Sequence, residues 1–255
     1  MLSGLENLDT ELSRWALMGR QADFWLRDDD ATIQTPALDR LLSFVNDAHI
    51  PLALAVIPAS ATIGLARYLE PLGVVSVIQH GYAHLNHENN GGKKSEFPET
   101  RSLDTVIGDL VKGRSVIADL FAGQSLPVLA PPWNRISSPA VQSLFNCGIS
   151  GLSRFQPRSS SFAATGVKQI NTHVDLISWR DGKVGKAGHK VAAEIASHLA
   201  ARRTGEADLS EATGILSHHL TMDETAWKAF SEVLTFLSSD NRVHWKNAES
   251  LFAEQ

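Results

Sequence analysis

Apolar residues recur along the chain at two spacings, one typical of amphipathic helices and one typical of buried strands. Leu5, Leu8 and Leu12 lie at helical spacing and predict an N-terminal helix over residues 4–19. Residues 51–58 form an apolar run between two prolines, which predicts a strand covered on both faces. By the same criteria, further strands are predicted at residues 24–26, 74–79, 128–130, 149–152 and 214–217. Further helices are predicted at residues 35–45, 65–72, 103–121, 139–145, 191–201 and 225–237.

Strands and helices therefore alternate along most of the chain, in units of about 30 residues, the size of a strand–helix–strand step. This alternation indicates an α/β fold with parallel strands. Six or seven such units fit a closed barrel better than an open sheet. No linker divides the chain, so we expect one domain over residues 1–255, with an N-terminal helix at 1–20 and the barrel at 21–240.

One polar segment, residues 86–98, interrupts the alternation. It contains the sequence Asn-Asn-Gly-Gly-Lys-Lys at positions 89–94, which is typical of a loop. Long loops that follow strands in α/β proteins are often binding or lid loops. A mobile surface excursion is an equal alternative, and the sequence leaves both open.

Charge and composition exclude several classes of function. The formal net charge is −5, so the chain lacks the clustered Lys and Arg that binding to nucleic acid or anionic lipid requires. No apolar run is long and uninterrupted enough to predict a membrane span. Cys147 is the only cysteine, which excludes a disulfide framework and a cysteine-based zinc site. The first residues lack a positively charged region before an apolar core, so we expect a cytoplasmic protein.

Carboxylates and imidazoles follow several of the predicted strands. They are the acids Asp28, Asp29 and Asp30, the histidines His80 and His84, and the adjacent pair His218 and His219. Because the carboxyl ends of parallel strands meet at one edge of a barrel, we expect these side chains to lie together. Three adjacent acids repel one another unless a cation compensates their charge. Two histidines separated by three residues, with one carboxylate, are a common ligand set for zinc or another transition-metal ion.

Each of these groups also has a structural interpretation. An acid run is commonly a solvated loop or a helix N-terminal cap, and a His-x-x-x-His spacing also occurs by chance on helices. His218 and His219 fit a buried strand end that is followed by an exposed turn. The conjunction at three strand ends favours the metal site, to which His87 is a weaker candidate. The other histidines are interpreted as surface or core residues: His49, His173, His189, His198 and His244.

The acid run and the histidine pair resemble motifs of the polysaccharide deacetylase superfamily, carbohydrate esterase family 4, in a divergent branch. The fold of that family is a distorted (β/α)7 barrel. Its first motif, Thr-Phe-Asp-Asp-Gly, resembles Arg-Asp-Asp-Asp-Ala at residues 27–31. The resemblance implies that Asp29 is the general base and Asp30 a metal ligand. A register with Asp28 and Asp29 as the pair stays open, although the small residue Ala31 favours the first.

Further motifs extend the resemblance over residues 24–220. The family motif His-x-x-x-His resembles His80 and His84, which are thereby implied to be the imidazole ligands. A family strand that ends in histidine implies His218 as the general acid, and His219 stays open as the alternative. The remaining two motifs resemble Pro-Pro-Trp at residues 131–133 and Asp-Leu-Ile-Ser-Trp at residues 175–179.

Residues in and beside these motifs are expected to contact the substrate. The predicted substrate-binding residues are Tyr82, Pro132, Trp133, Trp179, Asp28 and Arg135. The aromatic rings would offer a wall to an apolar group or a sugar face. Ordinary core packing is the alternative, which we expect for Trp179 more than for Trp133.

Two departures from the family pattern concern the charges around the base. The family carries an arginine before the proline pair, where Leu-Ala stands at 129–130, and an aspartate before the motif-four tryptophan, where Ser178 stands. Loss of both residues removes one positive and one negative charge together, whereas loss of one alone would leave an uncompensated buried charge. Arg27, Arg135 and Arg154 are candidates to replace the missing arginine.

The resemblance implies a metal-dependent hydrolase, a deacetylase acting on an N-acylated sugar or a related small amide, with zinc as the expected divalent ion. Its partner would be a small-molecule or carbohydrate substrate, and the oligomeric state stays open. One alternative is a non-catalytic barrel that keeps only the metal or the ligand pocket. Another is a metal-dependent hydrolase of a different bond, such as another C–N bond or a phosphoester.

Overall fold

Strands from all along the chain gather into one large sheet. The computed structural model describes residues 3–89 and 91–253. The strands are β1 (Ala22–Ala31), β2 (Leu52–Val56), β3 (Val75–His80), β4 (Ser125–Ala130), β5 (Gly151–Leu152), β6 (Phe162–Ala164), β7 (Val167–Gln169), β8 (Val174–Asp175), β9 (Ile177–Ser178), β10 (Val184–Gly185), β11 (Thr213–Ser217) and β12 (Val243–Trp245). The helices are α1 (Ser3–Leu17), α2 (Pro36–Asp47), α3 (Ile63–Leu69), α4 (Leu103–Leu120), α5 (Ser138–Ser143), α6 (Gly188–Thr204), α7 (Glu224–Ser238) and α8 (Ala248–Phe252).

Ten of the described strands form the large sheet, in the order β6-β7-β5-β4-β3-β2-β1-β11-β8, with β12 paired to the start of β1. Every ladder in this sheet is parallel except the β6–β7 pair. Strands β9 and β10 form a separate antiparallel ladder. The α/β fold with a parallel sheet, predicted from the sequence, is confirmed.

The order of the strands resembles a barrel with one seam. β7 ends at Gln169 and β8 begins at Val174, so a segment of four residues joins strands near the two ends of the order. No ladder links these two strands within the described part of the chain, whereas the sequence predicts a closed barrel. β12 joins the sheet beyond residue 240, the predicted end of the barrel. Its three residues are too few to show a strand period in the sequence.

The long predicted elements are present because their local signals agree with the packing. All five residues of β2 are buried, as expected of a strand covered on both faces. At the start of α2, the Thr35 hydroxyl oxygen accepts the Leu38 N–H at 3.1 Å, and Pro36 opens the helix. The two- and three-residue strands β6 to β10 and the short helix α8 have no sequence period, and the sequence predicts none of them.

The N-terminal helix α1 packs against α6. Leu12 and Trp15 are buried, and Nε1 of Trp15 donates to the carbonyl oxygen of Leu199 at 3.2 Å. Arg203 of α6 pairs with Glu11 of α1 at 2.6 Å. The helix therefore belongs to the core of the domain. Among the described helices, none combines the length and the apolar character that a membrane crossing requires.

The carboxyl ends of five neighbouring strands, β4, β3, β2, β1 and β11, lie side by side. β1 pairs with β11 up to Asp28 and Ser217, and β3 pairs with β4 up to His80 and Ala130. Because these strands run in one direction, the residues that follow them emerge at the same edge of the sheet. The acids and histidines singled out in the sequence lie at the carboxyl ends of three of these strands, β1, β3 and β11, or within four residues after them.

Candidate active site

A β-bulge at the end of β1 sets the directions of the consecutive aspartates. The β1–β2 register shifts between Asp28 and Ala31, and Asp30 has a φ of +77°, in the left-handed region. In a regular strand, Asp29 and Asp30 would point to opposite faces. With the bulge, both carboxylates reach histidines that follow other strands.

Asp30, His80 and His84 bring three potential metal-ligating atoms together. Oδ1 of Asp30 lies 3.1 Å from Nε2 of His80 and 3.3 Å from Nε2 of His84. One ligand atom from each residue lies within 4.8 Å of the other two. The His80 side chain is buried, whereas about a quarter of the Asp30 and His84 side chains is exposed. The group therefore has an open side, which substrate and water require.

The hydrogen bonds of His80 fit a bound cation. Nδ1 of His80 donates to the carbonyl oxygen of Ala130 at 2.9 Å, which fixes the proton on Nδ1. Nε2 then presents its lone pair to the Asp30 carboxylate, and two acceptors 3.1 Å apart need a proton or a cation between them. Burial lowers the pKa of His80, but the charges of Asp29 and Asp30 outweigh it, so the pKa is raised. Burial raises the pKa of Asp30, but its hydrogen bond to His80 and the charges of His80, His218 and His84 together outweigh this effect, so the pKa is lowered.

The Asp29 carboxylate is held by Arg27 from the same strand. Nη2 of Arg27 donates to Oδ2 of Asp29 at 2.9 Å, and Nε lies 2.9 Å from Oδ1. Nη1 donates to the hydroxyl and carbonyl oxygens of Ser153 at 2.7 and 3.1 Å, and Nη2 also donates to Oδ1 of Asn134 at 2.7 Å. Both members of the ion pair are buried. Of the three arginines considered from the sequence, Arg27 is therefore the one that pairs with Asp29.

His218 lies between two carboxylates. Its Nε2 is 4.0 Å from Oδ2 of Asp29, and its Nδ1 is 3.7 Å from Oδ1 of Asp175. Asp175 accepts the indole N–H of Trp179 at 2.7 Å and the backbone N–H of Ile177 at 2.9 Å, which fixes its position. Burial raises the pKa of Asp175. This arrangement turns one imidazole nitrogen towards Asp29 and the other towards a second acid.

Asp28 and His219 form a separate internal pair. Nδ1 of His219 contacts Oδ1 of Asp28, and Oδ2 of Asp28 accepts the Ser217 hydroxyl at 2.7 Å and the His219 backbone N–H at 3.0 Å. Both side chains are buried. Asp28, which the sequence predicts to contact substrate, therefore has no accessible carboxylate oxygen. The sequence left open that Asp28 is one of the two catalytic aspartates and that His219 is the general acid. The structure buries both of these residues against each other.

A buried glutamate holds the turn that carries His84. Glu96 accepts the two backbone N–H groups of residues 82 and 83, at 3.1 and 2.7 Å. Gly81 has a φ of +60°, and a Cβ on it would lie 1.9 Å from Oε2 of Glu96, so only glycine fits. The predicted loop at 86–98 therefore braces the ligand-bearing turn through its buried Glu96.

Two of the predicted substrate-binding aromatics lie beside functional histidines. The ring centroid of Trp133 is 4.5 Å from that of His84, and the ring of Trp179 meets His218 edge to face at 4.9 Å. Trp179 is 43% exposed, so ordinary core packing, the alternative considered for the aromatic residues, does not describe it. The site thus has one tryptophan against a candidate metal ligand and another against the candidate acid.

The other predicted substrate-binding residues have different surroundings. The ring of Tyr82 contacts Nζ of Lys112, which lies 5.0 Å from the ring centroid. Pro132 is buried. Arg135 donates to the carbonyl oxygen of Lys94 at 2.8 Å and so braces the 86–98 loop. Their roles towards a substrate stay predictions.

Four residues that shape the site were not assigned a role from the sequence. Asn134 follows the Pro-Pro-Trp motif and Asp175 is the first residue of the Asp-Leu-Ile-Ser-Trp motif, so both could have been selected by their position along the chain. Ser153 and Glu96 belong to no motif. Their contacts with Arg27 and with the His84 turn arise only in the folded chain.

The same fold occurs in solved structures of carbohydrate esterase family 4. A Mycobacterium smegmatis protein assigned to the polysaccharide deacetylases shares 14% identity over 92% of this chain and 90% of that chain, with a TM-score of 0.67. A family 4 acetyl xylan esterase from Clostridium thermocellum, in complex with a cobalt ion, shares 13% identity over 90% of each chain, with a TM-score of 0.56. A family pseudoenzyme from Bacillus anthracis shares 16% identity over 92% of this chain and 66% of that chain, with a TM-score of 0.58.

No protein-family model matches the sequence, and no curated protein matches it. The solved structures nevertheless confirm, at the level of the fold, the resemblance to the polysaccharide deacetylases that the motifs indicate.

Proposed function

We propose that this protein is a metal-dependent hydrolase that cleaves the amide bond of an N-acylated sugar or a related small amide. One observation carries the proposal. Asp30, His80 and His84 converge from two strand ends, and a further carboxylate and a further imidazole, those of Asp29 and His218, lie beside them. A ligand set with a separate base and acid is what amide hydrolysis by activated water requires.

Asp30, His80 and His84 would hold the ion, and zinc suits one carboxylate and two imidazoles. A bound divalent ion supplies a Lewis acid that polarises the substrate carbonyl and lowers the pKa of water. The hydrogen bond from His80 to Ala130 keeps the Nε2 lone pair directed at the ion site.

Asp29 is the proposed general base and His218 the proposed general acid. The Arg27 guanidinium fixes the Asp29 carboxylate, which accepts a proton from the attacking water. Nε2 of His218 faces Asp29 and donates a proton to the departing nitrogen. The C–N bond breaks, the water oxygen stays on the acyl group, and the free amine leaves.

Metal analysis tests the ligand set without relying on turnover. We expect about one zinc ion per chain in zinc-loaded protein and loss of that ion in His80→Ala. The control is His49→Ala, which removes an exposed histidine and leaves the metal content unchanged. Full metal content in His80→Ala would contradict the assignment.

Turnover of N-acetylglucosamine and simple N-acetyl amines tests the catalytic assignment. Asp29→Asn is expected to keep the metal and to lower kcat by about 10²- to 10⁴-fold, the usual contribution of a general base. A wild-type protein that binds zinc but hydrolyses none of these amides would instead favour the non-catalytic barrel. A pseudoenzyme of carbohydrate esterase family 4 from B. anthracis has the same fold.

A further inference from the structure

One buried acid at the carboxyl end of β1, Asp28, takes no part in the proposed hydrolysis. Its carboxylate is fully buried and bonds the residues on both sides of His218. Oδ2 accepts the Ser217 hydroxyl at 2.7 Å and the backbone N–H of His219 at 3.0 Å, and Oδ1 contacts Nδ1 of His219. Since Ser217 and His219 are the chain neighbours of His218, one carboxylate fixes the backbone before and after the candidate acid.

His218 stands at the point where a regular strand changes into a turn. The pairing of β1 with β11 ends at Asp28 and Ser217, so His218 is the first residue after the strand. Its carbonyl oxygen accepts the backbone N–H groups of Thr221 and Met222, at 2.8 and 3.1 Å, which forms the turn. The three donors to Asp28 therefore anchor the chain where the strand ladder stops.

Within the described part of the chain, the imidazole of His218 has no hydrogen bond that would hold it. Its Nε2 lies 4.0 Å from Oδ2 of Asp29 and its Nδ1 lies 3.7 Å from Oδ1 of Asp175, and both distances exceed hydrogen-bond length. Nδ1 is buried and has no hydrogen-bond partner among the described residues. The ring meets Trp179 edge to face. Its direction towards Asp29 therefore depends on the backbone that carries it.

The pair of Asp28 and His219 joins two strands that are already paired. β1 and β11 share a parallel ladder of five residue pairs, from Phe24 with Thr213 to Asp28 with Ser217. A buried ion pair adds little stability compared with well-packed apolar residues of similar volume, whereas its charged hydrogen bonds fix geometry. A carboxylate at this point therefore contributes position more than stability.

We infer that Asp28 is a positioning residue for the general acid: through Ser217 and His219 it holds the His218 backbone so that the imidazole faces Asp29. The inference rests on the proposed function, in which His218 is the acid. It gives a role to an aspartate that the sequence predicts to contact substrate and that the structure buries. A displacement of about 1 Å in a group that takes part in a reaction lowers the rate by about 10²-fold.

Two chromogenic probes separate the action of the general acid from the rest of the reaction. 4-Nitroacetanilide and 4-nitrophenyl acetate share the acetyl group and the nitrophenyl ring, and they differ only in the leaving atom. The amide nitrogen needs a proton in order to leave, whereas 4-nitrophenolate leaves as a stable anion. A displaced acid therefore lowers kcat for the amide and leaves kcat for the ester close to its wild-type value.

Asp28→Asn tests the inference, because asparagine keeps the shape of the side chain but has one acceptor oxygen for three donors. In the zinc-loaded variant, we expect kcat for the amide to fall about 10²-fold with KM unchanged. The zinc content and kcat for the ester should match the wild type. Since the effect acts through His218, Asp28→Asn/His218→Asn should hydrolyse the amide no more slowly than His218→Asn.

Glu211→Gln is the matched control. Glu211 is also a buried acid that accepts two backbone N–H groups, those of Arg158 and Asn171, both at 3.0 Å. It lies 3.3 Å from Nε2 of His173 and precedes β11 by two residues, at the opposite end of that strand from His218. The control removes a similar buried charge away from the candidate acid, so the ratio of amide to ester hydrolysis should stay that of the wild type.

Equal losses of amide and ester hydrolysis in Asp28→Asn would overturn the inference and leave the proposed function standing. A double variant slower than His218→Asn would overturn it in the same way. If Asp28→Asn does not fold, Ser217→Ala takes its place, because it removes one of the three donors. A loss confined to the amide is again expected, and equal losses for the two probes would again overturn the inference.

If the wild type hydrolyses no amide, the proposed function fails, and crystal structures of the wild type and of the folded variant decide the inference. A His218 imidazole that moves away from Asp29 in the variant, beyond the separation of 4.0 Å, would support the positioning role. An imidazole in the same place in both structures would overturn it.

Discussion

At the residue scale, Arg27 compensates the buried negative charge of Asp29. Asp29 is buried, and a buried carboxylate is costly unless it is paired and hydrogen-bonded. Arg27 lies two positions earlier on the same strand, so both side chains leave β1 on one face. Ser153 and Asn134 occupy the guanidinium N–H groups that do not reach Asp29. Arg27 is one of the three candidates to replace the missing arginine of the third motif, and it pairs with Asp29 from within the first motif.

We predict that Arg27→Met lowers the free energy of unfolding by about 3–5 kcal/mol, because the Asp29 charge would remain buried without a partner. The double variant Arg27→Met/Asp29→Asn is expected to regain most of this loss, since it removes both charges. Urea denaturation of the wild type, both single variants and the double variant measures the coupling. A double variant no more stable than Arg27→Met would show that the pair is not the source of the effect.

At the element scale, the site is built by irregular backbone at the ends of regular strands. Asp30, His84, Trp133 and Asn134 all have positive φ values, of 77°, 56°, 55° and 57°. Non-glycine residues adopt such values rarely, and they persist where the surrounding structure fixes them. The bulge in β1 fixes Asp30, and Glu96 fixes the turn before His84.

We predict that Glu96→Gln lowers the affinity for zinc about tenfold, the usual effect of removing a group that orients a metal ligand. A carboxylate accepts both N–H groups before His84, whereas an amide has a single acceptor oxygen and would direct its NH₂ group at the other N–H. Competition with a chromophoric chelator measures the dissociation constant. Glu99→Gln is the control, because Glu99 is an exposed acid three residues further along the loop. Equal dissociation constants for the two variants would contradict the brace.

At the scale of the whole molecule, the two ends of the sheet hold different polar groups. The carboxyl ends hold the candidate site, and the amino ends of β8 and β11 adjoin a buried pair of stacked imidazoles, His173 and His198, with ring centroids 3.7 Å apart. Arg202 and His198 both bond the Thr213 hydroxyl oxygen, at 2.9 and 3.0 Å, and Glu211 lies 3.3 Å from His173. Burial, with the nearby charges of His173 and Arg202, lowers the pKa of His198 to about 2.

This lowered pKa predicts a loss of stability in mild acid. His198 stays neutral in the folded protein, while the same residue in the unfolded chain binds a proton below its ordinary pKa of about 6.5. Its contribution is therefore fully present above pH 6.5 and declines as the pH falls towards 2. Between pH 7 and pH 5 it amounts to about 2 kcal/mol of unfolding free energy.

Urea denaturation of the wild type and His198→Asn at pH 7 and pH 5 measures this contribution. The asparagine cannot titrate, so the variant should lose less stability than the wild type on acidification. His49→Asn, at an exposed histidine, should behave as the wild type does. The same loss of stability in His198→Asn and in the wild type would exclude the buried imidazole as the cause.

Much of the fold and part of the site could be predicted from the sequence, for identifiable reasons. Strand β2 and helix α2 show periods and caps over enough residues to be recognised locally. His80 and His84 were recognisable because their spacing along the chain fits two ligands on one turn. The short strands at 162–185 carry no such period, and their pairing depends on partners far away in the sequence.

The sequence by itself determined the α/β alternation and which polar residue types stand at the ends of the strands, because apolar periodicity and residue order are local properties. Only the tertiary structure decided which partner each of the three adjacent aspartates contacts. Asp28 pairs with His219 inside the domain, Asp29 pairs with Arg27, and Asp30 meets the histidine pair. The bulge in β1 and the placement of neighbouring strands set these directions. They arise from contacts between segments up to 191 residues apart, which no local pattern records.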